Sequence, residues 1–215
     1  MIEIYLFINP IGDRCLNIEK QITELMKKND LKIQLRLIPL MNLHTVSDLL
    51  IREGLSKKDI RKRNKLSDNI YSAALDVKAA QLQGKKRGRI FLMKLQEELT
   101  KKKTTYSEEL VYRLFSEVGG DMETFIEDRA SDLVKELFIA DQQIARDMNI
   151  TKHPSAVIYN CANDAGTGVR VEGFSAIKYV INACKSRESM LRFFKTQENS
   201  EIFSQDFPDD HLSLI

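Results

Sequence analysis

Glycine and proline are scarce, 9 and 4 residues among 215, which excludes collagen-like and low-complexity readings. Cysteine is scarcer still, with Cys15, Cys161 and Cys184 the whole complement. An odd, widely spaced set with no CxxC pair is neither a disulfide framework nor a zinc site. No metal is therefore expected, and a reducing, cytoplasmic compartment is the simplest setting. No apolar run approaches the roughly 18 residues of a membrane-spanning helix, so no membrane partner is expected either. Neither sign of charge dominates: 33 Lys and Arg against 31 Asp and Glu leave a formal +2. With no global field, contact with nucleic acid would have to come from a local patch.

What is present is ordinary for a globular chain: 43% hydrophobic and 30% charged residues. At about 150 residues per domain the length suits one large domain, or one domain with an insertion. A chain of this size buries roughly 70% of its unfolded surface, enough for a core without staples. The first ten residues are apolar, but they have no basic leader and carry Glu3. They are expected to form a strand rather than a signal peptide.

Residues 2–8 read as a strand buried on both faces, closed by Asn9-Pro10. Cys15, Ile18, Ile22, Leu25 and Met26 recur at helical spacing, and Asn29-Asp30 closes that helix. Leu31 to Leu37 alternates strictly, as a strand with one wet face does. The first forty residues thus read β-α-β, a crossover that favours parallel, right-handed connection. Met41 to Lys65 is basic and ambiguous. Ser67 or Asp68 is expected to cap a helix through Ile70, Ala74, Val77 and Ala80, interrupted at Gly84. Further helices carry Phe91, Leu92, Leu95 and Leu99, then Leu110, Val111, Leu114, Phe115 and Val118 up to Gly119-Gly120. Asp121 opens another, with Phe125 inward, and a long last one places Leu133, Leu137, Phe138, Ile144, Ala145 and Met148 on one side. Pro154 to Tyr159 and Val169 to Gly173 read as antiparallel strands around an Asn163–Gly166 turn. A short helix follows from Phe174 to Ala183, and the tail 196–215 is expected to be loosely held.

The order is β-α-β, a helical insertion, then β-β-α. The expected fold class is α/β, a thioredoxin-like core with a large helical insertion. The core is divided between 1–40 and 150–195, the insertion or lid covers 41–149, and 196–215 is a tail.

Asn9-Pro10-Ile11-Gly12-Asp13-Arg14-Cys15 occupies the first βα junction, and Thr151-Lys152-His153-Pro154 precedes the third strand. The insertion carries Lys78-Ala79-Ala80-Gln81-Leu82-Gln83-Gly84, then Gly88 and Phe91-Leu92-Met93-Lys94-Leu95-Gln96. On these residues the sequence resembles the DsbA-like thioredoxin family, and within it the cytoplasmic YjbH/SpxH-type branch of low-GC Gram-positive bacteria. The resemblance covers residues 2–184, and the Lys78–Gly84 run is its most specific part. It implies a thioredoxin core under a helical lid. It also implies one of two activities: dithiol–disulfide exchange, or an adaptor role that delivers the regulator Spx to the ClpXP protease.

Family members carry CxxC or a close variant after the first strand. Here the four matching residues are Gly12-Asp13-Arg14-Cys15, so the leading, attacking cysteine is replaced by Gly12 and only the second survives. A helix N-terminus favours a thiolate, whereas burial disfavours it. Cys15 therefore reads either as a reactive thiol, the candidate catalytic residue, or as a small buried hydrophobe on the inner face of its helix. The resemblance makes Gly12, Asp13, Arg14, His153 and Pro154 the candidate substrate- or partner-binding residues, with a cis bond expected at His153–Pro154. His153 reads either as a substrate-facing side chain or as a loop histidine held extended by the following proline. Asp13 is sufficiently explained by the helix dipole, and Arg14 reads as a surface charge or a partner contact.

Three basic blocks stand out: Lys57-Lys58 with Arg61-Lys62-Arg63 and Lys65, then Lys85-Lys86-Arg87 with Arg89, then Lys101-Lys102-Lys103. No aromatic residues interleave them, so they do not form a single-strand binding platform. A protein partner steered by charge fits them better than nucleic acid. The leading functional expectation is a noncatalytic, protein-binding adaptor for an Spx-like regulator and ClpXP, with no cofactor. The alternative is a cytoplasmic thiol–disulfide oxidoreductase or isomerase using Cys15, with glutathione as a co-substrate. A third reading, from the related kappa-class glutathione transferases, is weaker because Gly12 offers no hydroxyl.

Overall fold

The apolar run at the start of the chain forms β1 (Ile2–Ile8) in the computed structural model, which describes residues 2–28, 32–160, 168–174, 177, 178, 181, 186, 188, 189, 192 and 212–214. Only its second half, Leu6 to Ile8, is buried throughout; Glu3 and Tyr5 are half-buried. The polar neighbour responsible is Arg36, which pairs with Glu3 at 2.8 Å and lies over the Tyr5 ring at 5.1 Å. The chain divides into two compact units, one of Met1–Ile8, Asn17–Ile38 and Lys152–Ile215, the other of Asn9–Leu16 and Pro39–Thr151. Helix α1 (Asp13–Lys28) begins in the second and continues in the first.

In the first unit β2 (Ile33–Pro39), β3 (Ser155–Asn160), β4 (Gly168–Glu172) and β5 (Leu212–Leu214) join β1 in one sheet of order β2-β1-β3-β4-β5. β1 and β3 run antiparallel with Ile4 opposite Ile158, and β3 and β4 antiparallel with Val157 opposite Arg170. The expected strand pair around residues 154–173 is thus present, shifted by one residue. Phe174, Ile177, Lys178 and Ile181 have helical backbone. The Asn163–Gly166 turn, Cys161 and Cys184 lie outside the described residues. One expectation is corrected: the tail is not loosely held throughout, because β5 pairs antiparallel with β4, Arg170 opposite Ser213. Without β5 that edge of β4 would present N–H and C=O groups with no strand partner, and a short extended segment that reaches it satisfies them.

In the second unit the ambiguous basic stretch resolves into α2 (Leu43–Arg52), a turn, and the start of α3 (Ile60–Leu82). Asn42 forms a capping box on α2 with Thr45. The cap of α3 is Asp59, whose Oδ1 accepts the Lys62 amide at 3.1 Å. Ser67 and Asp68 are therefore mid-helix and not caps, because Asp59 nucleates the helix two turns earlier. Then come α4 (Lys85–Thr100), α5 (Glu108–Glu117), α6 (Met122–Ala130) and α7 (Asp132–Asp147). Val46, Leu49, Leu50, Leu66 and Ile70 form one buried cluster, with Ile11, Met41 and Leu55 packed against it. Phe91, Phe115 and Phe125 form a second: Phe115 and Phe125 stack at 4.0 Å, and Phe91 meets both edge-on.

On α7 the inward residues are Val134, Phe138, Asp141 and Ala145, and Leu133 is half exposed. The expected stripe holds at Phe138 and Ala145 and not at Leu133, and Asp141 joins the inward face, where it pairs with Lys78 of α3 at 2.7 Å. A second buried carboxylate, Asp76 of α3, accepts the Tyr106 hydroxyl at 2.5 Å and pairs with Arg129 of α6. Burial pushes the Asp76 carboxyl above its usual range against the pull of Arg129, and burial with the adjacent Asp76 raises Tyr106.

Gly88 sets the spacing of α3 and α4. A Cβ there would lie 2.6 Å from Gln81 Cγ and 2.9 Å from its Cα. Gly88→Ala is expected to cost about 1–3 kcal/mol despite alanine's better helix propensity, because backbone has to move. Urea unfolding of the two proteins reads the difference.

Candidate functional site

The junction between β1 and α1 belongs to the second unit, and its conformation follows from Asn9. The Asn9 side chain accepts the Ile11 amide at 3.0 Å, and its carbonyl accepts the Gly12 amide at 3.1 Å. This is the self-bonded turn that an Asn-Pro pair sets up. Gln96, fully buried on α4, donates from Nε2 to the same carbonyl at 3.1 Å. The Asn9 amide points at Cys15 Sγ, 3.4 Å away. Asn9 itself is fully buried, so the loop is fixed from inside.

Cys15 lies in the first turn of α1 with no exposed surface. The leading position of the motif is Gly12, also buried, which carries no nucleophile. A Cβ there is tight but not blocked: it would meet Asn9 Cβ at 3.2 Å and nothing nearer. A disulfide substrate reaches the Cys15 sulfur only after local opening of the loop. Alkylation of native Cys15 by iodoacetamide is therefore expected to run about 100-fold or more below its rate in the denatured chain. Peptide mass spectrometry resolves the site, and equal rates would show an accessible thiol.

Asp13 and Arg14 are exposed at the start of α1. Asp13 complements the helix N-terminus and takes Arg52 of α2 at 3.3 Å, while Arg52 also holds Asp48 at 2.7 Å. Asp13 is thereby a link between α1 and α2. The Arg14 guanidinium has no ion pair among the described residues.

His153 and Pro154 belong to the first unit. The bond between them is cis, and both residues are buried. The Pro154 carbonyl accepts the Gly173 amide at 3.0 Å, and Ser155 Oγ donates to the Lys152 carbonyl at 2.8 Å. Among the described residues no three His, Cys, Asp or Glu side chains are grouped to hold a metal ion, and no helix is long and apolar enough to cross a membrane.

The structure brings Gly12, Asp13, Arg14 and Cys15 together with three residues that the motif alone does not indicate: Asn9, Arg52 and Gln96. Gln96 had a signal, a polar side chain in the stripe Phe91, Leu92, Leu95 and Leu99. Asn9 had another, the residue before a proline at a strand end. Arg52 had none, because its partner lies 39 residues away.

Comparison with known proteins adds to this geometry. A family model described as thioredoxin matches residues 5–182. The chain is 32% identical over 184 residues to the ClpXP adapter protein SpxH of Staphylococcus saprophyticus, covering 84% of this chain and 65% of that protein. It is 28% identical over 188 residues to the protein of the same name in Bacillus subtilis, covering 80% of this chain and 62% of that one. The chain thus spans less than two thirds of the length of these relatives. Among solved structures, the oxidoreductase DsbA of Xylella fastidiosa superposes with a TM-score of 0.59 at 12% identity, over 92% of this chain and 86% of that one. A 2-hydroxychromene-2-carboxylate isomerase gives 0.57 at 11% identity, over 92% and 98%. At such identities these two likenesses speak for the fold alone.

Proposed function

The chain belongs to the thioredoxin family, and from that premise we propose that it is a protein-binding adaptor, presenting an Spx-type regulator to the ClpXP protease rather than exchanging disulfides. The observation that carries the reading is the state of the motif: no thiol at Gly12, and at Cys15 a sulfur with no exposed surface. Thiol–disulfide exchange needs an exposed leading thiolate and a second thiol to resolve the mixed disulfide. At the βα junction the leading role has no candidate, and Cys15, in the place of the second thiol, has no mixed disulfide to resolve. The relatives named ClpXP adapter proteins support the same reading. A thioredoxin scaffold without its chemistry retains a binding surface, and site and fold are separable in this way. The cytoplasm, where ClpXP and its clients would meet the chain, is the corresponding location.

The competing reading, thiol exchange through Cys15 with glutathione, requires the buried sulfur to open to solvent in every turnover. Isothermal titration of a purified Spx-type regulator into the protein separates the two. Saturable binding that is insensitive to reductant is expected. Heats no larger than dilution would sink the adaptor reading.

A further inference from the structure

We infer that the α2–α3 turn and the first two turns of α3 form a docking surface for an acidic, leucine-containing segment of a protein partner; this deepens the adaptor reading and rests on it. Between Lys57 and Lys65 the chain places six cations, Lys57, Lys58, Arg61, Lys62, Arg63 and Lys65, against one acid, Asp59. Asp59 is occupied in capping α3 and in pairing with Lys62 at 3.6 Å. The other five cations have no ion pair among the described residues. The contrast is with the third basic block, where Lys101 and Lys102 pair with Glu97 and Glu98 at 2.6 and 2.7 Å.

Nothing in the helix itself accounts for this charge. The first turn of α3 contains no acid, so Arg61, Lys62 and Arg63 sit at the positive end of the helix dipole. Arg61 and Lys65, one turn apart on the exposed face, repel each other. A solvated face of balanced composition would avoid both costs. Apolar side chains flank the charge: Ile51 is 51% exposed at the end of α2 and Ile60 is 60% exposed at the start of α3. The frame is fixed, since Leu55 donates to the Leu50 carbonyl at 2.8 Å and Asp59 to that of Ser56 at 3.1 Å. An acidic segment would relieve the dipole and the repulsion while its leucines cover the isoleucines, giving both steering and area.

The test uses a fluorescein-labelled peptide of Glu-Leu-Glu-Glu-Leu repeats, its Gln-for-Glu counterpart and an oligothymidylate, all read by anisotropy. The Glu peptide is expected to bind about tenfold or more tightly than the Gln peptide, with affinity falling as salt rises. Arg61→Glu with Lys65→Glu is expected to remove about tenfold or more of that affinity, and Lys85→Glu with Lys86→Glu to leave it intact. The unfolding midpoint of the first double variant should stay level or rise, since its new carboxylates suit the helix start. Equal losses in the two double variants, no preference for the Glu peptide, or tighter binding of the oligothymidylate would each overturn the proposal. A regulator that binds wild type and the Arg61→Glu, Lys65→Glu variant alike removes the surface and leaves the adaptor reading. Peptide binding localised to this face, with no binding of the regulator by wild type, does the reverse.

Discussion

Phe125→Ala should cost about 3–5 kcal/mol of stability, the range for emptying a fully buried aromatic position. Phe125 is the single buried side chain of α6. Its ring stacks on Phe115 at 4.0 Å, meets Phe91 at 6.1 Å and receives Tyr112 edge-on at 6.5 Å. Such ring pairs add to the plain burial of apolar area. With the ring gone, α6 keeps its polar ties: the Arg129–Asp76 pair and the hydrogen bonds between Gln83 and Asp121 at 2.8 and 2.9 Å. Arg129 is partly exposed, so that pair offsets little of the loss. Urea unfolding with a near-ultraviolet probe reads the change. A loss below about 1 kcal/mol would mean that the three rings do not form one packed cluster.

Gly12→Cys is the second large expected effect, a gain of chemistry. The substitution restores the CxxC spacing with Cys15 as the second thiol. Gly12 has no left-handed backbone torsion, and the nearest obstacle to a side chain is Asn9 Cβ at 3.2 Å, so the residue enters at the cost of a few tenths of an ångström in the loop. The new thiol would stand at the start of α1, where the helix end favours the thiolate. Reduction of an insulin disulfide is expected to rise about tenfold or more over wild type, since a nucleophile and a resolving thiol are then both present. The same variant should lose two titratable thiols on oxidation and regain them with dithiothreitol. A variant whose thiol count does not respond to oxidant would show that the loop holds positions 12 and 15 apart.

The sequence made the alternation of elements visible because the hydrophobic period changes cleanly: apolar runs at residues 2–8 and 154–159, 3.6-residue stripes between. The chain's polar interior was harder to read. Asp76, Lys78, Gln96 and Asp141 are buried on helix faces that pattern reading reserves for apolar residues. Each is acceptable there only because a partner far along the chain meets it, as Arg129, Asp141, Asn9 and Lys78 do. Those pairings cannot be inferred from local spacing. The same holds for β5, whose three residues form a strand because they pair with the edge of β4 that β3 leaves open. At the candidate site the local motif was legible down to its missing first cysteine. The place of Cys15 in the stripe with Ile18 and Ile22 offered burial as one of two readings, and the sulfur is buried. What fixes the sulfur there, the Asn9 turn and the Gln96 hydrogen bond, depends on α4 arriving from 87 residues away.

The most direct test of the account compares wild type with Cys15→Ser in a purified degradation reaction of an Spx-type regulator by ClpXP. A buried packing cysteine takes no part in an adaptor's work, so both proteins should shorten the regulator's half-life about equally, by roughly fivefold or more, in line with typical binding couplings. Loss of the acceleration in a Cys15→Ser protein that keeps its unfolding midpoint would contradict the account, and would place thiol chemistry at the centre of the function.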